Sequence, residues 1–307
     1  METSRPPFVS VIIPVFNDEE RLKLCLAALA QQTYGRSHYE IIVVDNDSDH
    51  PELLKAVTEP FENVRLAYES TPGSYAARNR GLSLAKGEAI AFTDADCIPA
   101  PDWLEKGVYY LQHTPNCGQV IGKVELFFAD PQAPTPVELY ESVTAFSQEK
   151  LLQRFHGGAT ANVFTWRHVV DKVGGFDTQF RSGGDMEWGH RIYTKGYQQI
   201  YVEEVLVQHP ARSSFQELYT RTRRITGGHY DIQLNQAQAV WQRQVIILRI
   251  LLQNLVPPVF FTINTFFDNR LKGLDQKLKV SSLMFVVRYI SALEILRLKL
   301  GGKSIRT

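Results

Sequence analysis

The stretch FVSVIIPVFNDEERLKLCLAALAQQ, residues 8 to 32, decides the fold class. Residues 8–15 are mostly apolar and rich in β-branched side chains, which indicates a short strand buried on both faces. After this run, apolar residues from Leu22 to Leu29 repeat at helical spacing. Asn17 and Glu20 are three positions apart, which is the spacing of a capping box at the start of a helix. The segment therefore predicts a buried strand followed by an amphipathic helix that Asn17 caps.

The same strand-then-helix pattern recurs up to about residue 100. Strand patterns occur at 39–45 (YEIIVVD), 64–69 (VRLAYE) and 88–94 (EAIAFTD), and helical stretches separate them. Alternating strands and helices form right-handed βαβ units in which the strands are parallel. The sequence therefore predicts an α/β fold, with a Rossmann-like, mainly parallel sheet flanked by helices. Beyond Asp94 the alternation is less regular.

Charge and cysteine content exclude several classes of protein. Lys+Arg and Asp+Glu each number 33, so the net charge gives no basis for a nucleic-acid partner, and we predict none. The three cysteines have neither CxxC nor Cys/His zinc spacing, which argues against a disulfide framework and a structural zinc site. The start METSRPPF lacks the pattern of a signal peptide. These features predict a cytoplasmic protein.

Acidic residues close two of the predicted strands. Asp45 and Asp47 follow the strand at 39–45, and Asp94 and Asp96 follow the strand at 88–94. Ligands of a parallel sheet bind beyond the carboxyl ends of its strands, so these side chains are expected in a binding site. Carboxylates do not hold a bare diphosphate, but they hold one through Mg²⁺ or Mn²⁺, which binds carboxylate and phosphate oxygens together.

Residues near these acids support the same site. Pro14 and Asn17 close the first strand, while Arg78 and Arg80 lie on the helix that precedes Asp94. The structural alternative is that the two acids of the fourth strand only end the strand and cap the helix that follows.

The motifs, in this order and spacing, resemble those of glycosyltransferase family 2, whose members have the GT-A fold. The resembling segments are VSVIIPVFN, IIVVDNDSD, GSYAARNRGLSLAKGEAIAFTDAD and VGGFDTQFRSGGDMEWGHR, and the match runs from about Phe8 to His209. The resemblance implies an inverting enzyme that moves a sugar from a nucleotide sugar, which we expect to be UDP-linked, to an acceptor hydroxyl.

The resemblance also implies roles for the residues at the strand ends. Pro14 and Asp45 would line the pocket of the base and ribose. Asp94 would lie near the ribose and the donor sugar, and Asp96 would coordinate the metal that bridges the diphosphate. The remaining candidates for donor binding are Asn17, Asp47 and Arg78.

A helix start near residue 185 supplies the candidate base. An inverting transfer needs a base on the side of the sugar away from the departing diphosphate, where it takes the proton of the attacking hydroxyl. In the family this base is the aspartate of a Glu-Asp pair, and the matching pair here is Gly184-Asp185. We predict Asp185 as the base and keep Glu187 as the alternative, because the family's glutamate is absent. A capping role for Asp185 is the structural alternative. Trp188 either shapes the acceptor pocket or belongs to the core.

His209 is the candidate that would complete the metal site. It follows a strand in LVQHPAR and resembles a late histidine that binds the metal in some members of this fold. A neutral imidazole suits Mn²⁺ better than Mg²⁺. The alternative is a histidine that is only buried at a strand end. For Arg221, Arg223 and Arg224, contact with the diphosphate is one hypothesis, and a solvated helix face is the favoured one.

The C-terminal tail is apolar and basic. Residues 245–267 are apolar over nearly the length of a membrane span, but Arg249, Gln253 and Asn254 interrupt them, as do two prolines, so we expect no clean transmembrane helix. From residue 241 onward, 11 Lys and Arg against 3 Asp and Glu give a net charge of +8. Residues 282–300 predict an amphipathic helix on an anionic membrane, with Arg288, Arg297 and Lys299 near the lipid. The alternative is a helical hairpin packed on the catalytic domain or on a partner subunit.

Together these patterns predict a metal-dependent glycosyltransferase of polysaccharide or cell-envelope biosynthesis, with a glycan or lipid-linked glycan as acceptor. The predicted catalytic domain spans residues 1–212, with a nucleotide-sugar half at about 1–100 and an acceptor half at about 101–212. The tail at 213–307 would hold the protein peripherally on the inner face of the plasma membrane. A sugar-phosphate nucleotidyltransferase is a rival, but its Gly-rich loop is missing from PVFNDEER. A non-catalytic scaffold of a glycan-synthesis complex is a second rival.

Overall fold

The first strand lies in the middle of a parallel half-sheet. In the computed structural model, which describes residues 5–180, 182–235 and 239–305, β1 (Val9–Val15) pairs in parallel with β2 (Tyr39–Asp45). On its other side β1 pairs in parallel with β4 (Ala89–Thr93), and β3 (Val64–Tyr68) extends the sheet beyond β2. Ile12 is fully buried, because both faces of β1 are covered, as its continuous apolar run predicts.

The other half of the sheet is antiparallel. β7 (Asn162–Trp166) runs antiparallel to β4 and to β6 (Cys117–Phe127). The short β5 (Ile98–Pro99) pairs antiparallel with β8 (Gln198–Pro210). The eight strands follow the order β3-β2-β1-β4-β7-β6-β8-β5. The α/β fold with a helix-flanked sheet is therefore confirmed, and the sheet is mixed, because the strand-then-helix alternation that specifies parallel pairing ends after β4.

Helices separate most of the strands. In chain order they are α1 (Glu19–Leu29), α2 (Pro51–Thr58), α3 (Ser74–Leu84), α4 (Trp103–His113), α5 (Pro136–Thr144), α6 (Gln148–Phe155), α7 (Arg167–Val173) and α8 (Gly184–Thr194). The N-cap of α1 is Asp18, whose side chain makes no capping hydrogen bond. Asn17 lies one residue before the cap, and its side chain bonds to Asp49 instead. The predicted capping role of Asn17 is therefore wrong.

Close packing of α3 on β1 places the side chains of α3 near the candidate site. A Cβ added to Gly81 would lie 2.4 Å from Cγ2 of Ile12. Glycine at this position therefore lets the helix approach the sheet more closely than any other residue would. Tyr75, Ala77 and Arg78, within two turns of Gly81, are all buried.

The chain divides into two compact units. The first unit consists of Met1–Glu125, Phe146–Thr178 and Gly184–His209. The second consists of Leu126–Ala145, Gln179–Gly183 and Pro210–Thr307. The second unit thus includes α5, which the predicted domain 1–212 contains. The functional division at residue 212 stays a prediction.

The second unit is helical. Besides α5 it contains α9 (Phe215–Asn235), α10 (Val240–Leu255), α11 (Val259–Phe267) and α12 (Gly273–Lys299). The long α12 packs against the other four helices, with Val280 and Ile295 in two separate apolar clusters. Within the described ranges, no single helix has both the length and the hydropathy of a membrane span. The pair α10 and α11, bent by 43° at their junction, has both by length and composition alone.

Candidate active site

The loop after β2 is fixed by two buried side chains. Asp45 is buried, and its Oδ1 accepts a hydrogen bond of 3.0 Å from the Ser48 N–H. Asn46 is also buried and donates from Nδ2 to the carbonyl oxygens of Glu69 and Thr71. These bonds hold Asp45 rigidly at the carboxyl end of the parallel half-sheet, where ligands of such sheets bind.

Three more candidates for donor binding lie at the same sheet edge. Pro14 is half-buried near the end of β1. Asn17 and Asp47 have positive φ angles of 50° and 69°, a conformation that Asn and Asp tolerate better than most residues. Asn17 exchanges two hydrogen bonds with Asp49, and Oδ1 of Asp47 accepts one of 2.6 Å from the Tyr68 hydroxyl. These side chains shape the loops, and their contact with a donor stays a prediction.

Arg78 joins α3 to the acid at the end of β4. The Arg78 side chain is only 5% exposed, and its Nη2 lies 2.5 Å from Oδ1 of Asp94, whose side chain is 30% exposed. A planar, buried guanidinium fixes the carboxylate it binds in one orientation. Arg80, the other arginine of this helix, is exposed. Of the two arginines, Arg78 is therefore the one that orients Asp94.

Asp96, two residues after Asp94, lies opposite His209, which is near the end of β8. His209 is buried, its Nε2 lies 3.2 Å from Oδ2 of Asp96, and its ring centre lies 4.6 Å from that of Phe146. Nη1 of Arg21 lies 3.7 Å from the same carboxylate. A carboxylate oxygen beside an imidazole nitrogen is a donor pair that suits Mn²⁺. Among the described residues no group of three or more His, Cys, Asp and Glu is placed to hold a metal, so a cation here would need further ligands from substrate or water.

Asp185 lies in the first turn of α8, and α3 supplies its partner. The Tyr75 hydroxyl donates to Oδ1 of Asp185 over 3.2 Å and accepts from the Gly184 N–H over 2.9 Å. Burial raises the pKa of the Asp185 carboxyl above its ordinary value, while the positive charge of Arg78 and the hydrogen bonds to the carboxylate act in the opposite direction. A carboxylate with a raised pKa is a stronger base than one in water, which suits a group that must accept a proton.

Glu187 is held by an ion pair on its own helix. Both of its carboxylate oxygens accept hydrogen bonds from Arg191, over 2.7 and 3.1 Å. The same guanidinium also donates to the carbonyl oxygens of Val173 and Gly175. This geometry supports a structural role for Glu187 and favours Asp185 as the base. Trp188 is fully buried, which agrees with the core alternative for this residue.

Tyr75 is the site residue that the sequence patterns did not reveal. It lies three residues before Arg78 on α3, and this spacing places the two side chains on one face of the helix. The available signal was an aromatic residue inside GSYAARNRG at a helix start. Its partner, however, lies 110 positions further along the chain.

Two arginines of α9 pair with buried carboxylates within the second unit. Nη1 of Arg221 lies 3.4 Å from Glu141, and Nε of Arg223 lies 2.8 Å from Glu294. Their side chains are 20% and 21% exposed, and both carboxylate side chains are almost fully buried. The favoured hypothesis of a solvated helix face is therefore wrong for these two residues, because burying the two acids required cationic partners.

The sequence is similar to known transferases. The sequence model of the family described as Glycosyl transferase family 2 matches residues 10–174. Glycosyltransferase AglE of Haloferax volcanii is 38% identical over 233 residues, which cover 75% of this chain and 75% of that protein. A Methanococcus voltae protein named dolichyl N-acetyl-alpha-D-glucosaminyl phosphate 3-beta-D-2,3-diacetamido-2,3-dideoxy-beta-D-glucuronosyltransferase is 22% identical over 226 residues, which cover 70% of each chain.

The structure is similar to that of mannosyltransferase PcManGT from Pyrobaculum calidifontis in complex with GDP-Man and Mn²⁺. The two structures have a TM-score of 0.62 and 21% sequence identity, and the similarity covers 95% of this chain and 88% of the other. At this level of identity the likeness concerns the fold, and it confirms the predicted GT-A architecture.

Proposed function

The chain belongs to glycosyl transferase family 2, and from this premise we propose that it is an inverting, metal-dependent glycosyltransferase. In this proposal it moves a sugar from a nucleoside diphosphate to a hydroxyl of a glycan or of a lipid-linked glycan. The observation that carries the proposal is the chain of contacts from Asp94 through Arg78 and Tyr75 to Asp185. Arg78 and Tyr75 both lie on α3, so this one helix contacts both the candidate donor-binding acid after β4 and the candidate base on α8.

The donor side of this site suits a nucleotide sugar. Asp45 is fixed at the end of β2 and would line the base and ribose pocket, with Pro14 beside it. Asp94, oriented by Arg78, keeps part of its carboxylate exposed for the ribose and the donor sugar. Carboxylates select hydroxyl-rich ligands because they accept hydrogen bonds without donating any.

Asp96 and His209 are the residues that would hold a divalent cation, Mn²⁺ or Mg²⁺. Their carboxylate and imidazole face each other within 3.2 Å, and the imidazole favours Mn²⁺. When bound, such a cation would neutralise the charge that develops on the departing diphosphate. His209 is fixed by its contact with the Phe146 ring, so the ligand pair does not depend on a mobile side chain.

Asp185 would act on the acceptor. Its carboxylate takes the proton of the acceptor hydroxyl while that oxygen attacks the anomeric carbon from the face opposite the diphosphate. The Met186 N–H in the first turn of α8 and the Tyr75 hydroxyl of α3 both donate to Oδ1 and fix it. The raised pKa of Asp185 increases its affinity for the proton it must accept.

The relatives indicate which donors and acceptors to test. PcManGT was solved with GDP-Man, so GDP sugars join the UDP sugars that the resemblance led us to expect. The Methanococcus voltae relative is named for a dolichyl phosphate acceptor that carries N-acetylglucosamine. We propose an acceptor of the same chemical class, a glycan on a polyisoprenyl phosphate.

The proposal is tested by incubating the purified protein with radiolabelled UDP and GDP sugars and Mn²⁺ and measuring transfer or slow hydrolysis of the label. We expect one donor to be consumed, and Asp96→Ala to consume none. Formation of a nucleotide sugar from a nucleoside triphosphate and a sugar phosphate would establish the nucleotidyltransferase instead. Donor binding without any turnover would support the scaffold.

We also propose that the second unit contacts an anionic lipid surface on the inner face of the plasma membrane. Large apolar side chains along α10 and α11 are exposed at helical spacing: Trp241, Val245, Leu248, Leu252, Leu255, Val259, Ile263 and Phe267. Such a stripe supports burial in the headgroup region, and the net charge of +8 from residue 241 onward complements anionic lipid. Arg288, however, bonds to the carbonyl oxygens of Gln253 and Val256 rather than facing outward.

Liposome flotation tests this contact. The full chain is expected to float with anionic vesicles at low salt, and high salt should release only part of it, because salt screens charge but not apolar burial. Replacing Trp241, Phe260 and Phe267 together by serine should abolish flotation, whereas Tyr109→Ser, a similarly exposed aromatic of the first unit, should not. A full chain that stays at the bottom of the gradient would exclude direct lipid contact and would favour a protein partner.

A further inference from the structure

The hydroxyl group of Tyr75 lies between the backbone and the carboxylate at the start of α8. We propose that Tyr75 is a positioning residue for the transfer reaction, which orients Asp185 and sets the pH range over which it is ionised. The inference rests on the proposed function of Asp185 as the base. It adds a residue that neither the motifs nor the resemblance assigns to the reaction.

The two hydrogen bonds of Tyr75 determine where its proton lies. Its oxygen accepts the Gly184 N–H over 2.9 Å, so the hydroxyl proton is directed to the other neighbour, Oδ1 of Asp185, over 3.2 Å. Oδ1 also accepts the Met186 N–H over 3.1 Å. Both hydrogen bonds therefore hold one oxygen of the carboxylate, which leaves Oδ2 as the oxygen that takes the acceptor's proton.

Tyr75 is itself held rigidly. Its ring is stacked on Phe176, with ring centres 5.7 Å apart and an interplanar angle of 21°. The backbone N–H and carbonyl oxygen of Phe176 bond to the Asn79 side chain over 2.8 and 2.7 Å. The guanidinium carbon of Arg78 lies 5.9 Å from the centre of the Tyr75 ring. A hydroxyl on such a fixed ring is a preorganised donor rather than one that must be ordered during each turnover.

Tyr75 makes hydrogen bonds at the start of α8 that a side chain of residue 184 cannot make, because this residue is glycine. The first N–H groups of a helix have no partner within the helix, and Gly184 contributes no side chain that could fix the turn. The Tyr75 hydroxyl supplies an acceptor for the Gly184 N–H and a donor for the next residue. One side chain from α3 therefore orients the whole first turn of α8.

The charged surroundings of Asp185 come mainly from α3. Arg78 and Tyr75 favour its ionised form, against the effect of burial. On its own helix, Glu187 is neutralised by Arg191. Near the other helices packed on α8, His156, which follows α6, stacks on Tyr193, and Lys172 of α7 lies over the Tyr197 ring. Removing the Tyr75 hydroxyl takes away one of the groups that favour the ionised carboxylate, so it should raise the pKa of Asp185 further.

The experiment compares Tyr75→Phe with Tyr39→Phe in the purified full chain. Tyr39 is also buried, at the start of β2, and its hydroxyl donates to the Leu29 carbonyl oxygen rather than to a proposed site residue. For Tyr75→Phe we expect kcat at neutral pH to fall by about tenfold, the usual scale for a lost hydrogen bond to a charged group. We also expect the acidic limb of the pH profile of kcat to move upward by roughly 0.5 to 1 pH unit, with the donor KM unchanged. Tyr39→Phe should leave the pH profile in place.

The outcomes separate this inference from the proposed function. An unchanged pH profile in Tyr75→Phe, together with a large loss in Asp185→Asn, would overturn the inference and leave the base assignment intact. Wild-type turnover in Asp185→Asn would overturn the base assignment itself. If Tyr75→Phe does not fold, 3-fluorotyrosine at position 75 offers a second test. Its more acidic hydroxyl should move the acidic limb to lower pH, and the absence of any movement would contradict the inference.

Discussion

The two units of the protein differ in how they pair an acid that is at least partly shielded from solvent. In the second unit, Glu294 is buried between two arginines, Arg223 at 2.8 Å and Arg297 at 2.5 Å. In the first unit, the Asp185 carboxylate accepts hydrogen bonds from a neutral hydroxyl, that of Tyr75, and from the Met186 N–H. Glu294 in the second unit is paired with two cations. The groups that contact Asp185 in the first unit offset only part of the effect of burial on its pKa.

The pKa values follow this difference in pairing. Burial raises the pKa of Glu294, but the hydrogen bonds and charges of Arg297 and Arg223 outweigh it, so the net shift is downward. For Asp185 burial outweighs the opposing groups, and the pKa is raised. A fully paired acid stabilises the fold, while a partly compensated acid keeps its affinity for a proton, which is the property expected of a catalytic group.

The largest effect is expected on transfer activity when Asp96, the proposed metal ligand, is replaced. Asp96→Ala should reduce transfer below detection and weaken donor binding in the presence of Mn²⁺, because the diphosphate would meet acidic residues without a bridging cation. Kinetics and calorimetric titration of the donor measure both effects. Asp102→Ala, which removes an exposed acid paired with Lys106, should behave like the wild type. Full activity after exhaustive chelation would contradict metal dependence.

The next effect is on stability in the second unit. Glu294→Ala should lower the free energy of unfolding by about 3–5 kcal/mol, because it leaves Arg223 and Arg297 without the buried partner they share. Asp275→Ala, which breaks an exposed pair with Lys279, should change the stability by less than about 1 kcal/mol. Chemical denaturation of both variants measures the difference. Equal stability of the two variants would show that Glu294 is not a structural acid.

A somewhat smaller effect is expected on turnover in the first unit. Asp185→Asn should lower kcat at least about a hundredfold and leave donor affinity nearly unchanged, because the amide keeps the shape of the side chain but accepts no proton. Glu187→Gln is the matched control, since its carboxylate is occupied by Arg191. If the large loss appeared in Glu187→Gln instead, the base would lie two residues further along α8.

The smallest effect is on the stability of the same Asp185→Asn variant. Since the folded-state pKa of Asp185 is raised from its ordinary value of 3.8, the folded protein binds this proton more tightly than the unfolded chain does. The carboxyl group therefore costs stability as the pH rises from about 3.8 through the folded pKa, and this cost persists at neutral pH. Asp185→Asn should raise the melting temperature slightly at pH 7, and the difference should vanish near pH 3. A lower melting temperature of the variant at pH 7 would contradict the claim that the pKa of Asp185 is raised in the folded protein.

Local patterns predicted the parts of the protein that depend on nearby residues. The buried run of β1 and the acids at the ends of β2 and β4 follow from short apolar stretches and the residues that close them, and the structure places these strands as expected. His209 could be paired with Asp96 only through the resemblance, and the structure brings their side chains within 3.2 Å. Their role in binding a metal stays a prediction.

The features that escaped prediction depend on partners distant in sequence. The antiparallel pairing of β4 with β7 joins segments that no local pattern connects. Arg223 looked like part of a solvated helix face because its partner, Glu294, lies 71 positions away. Asn17 had the spacing of a cap, but the loop after β2 offered its side chain a better partner in Asp49.

The anomeric configuration of the product tests most directly the central claim that one base, Asp185, promotes a single displacement at the sugar. The donor is first identified with the radiolabelled UDP and GDP sugars. NMR of the product then gives the anomeric configuration of the sugar that the wild-type enzyme transfers. Attack from the face opposite the diphosphate inverts the anomeric centre, so an α-linked donor should give a β-linked product. Retention of the donor's configuration would contradict a single displacement and with it the role assigned to Asp185.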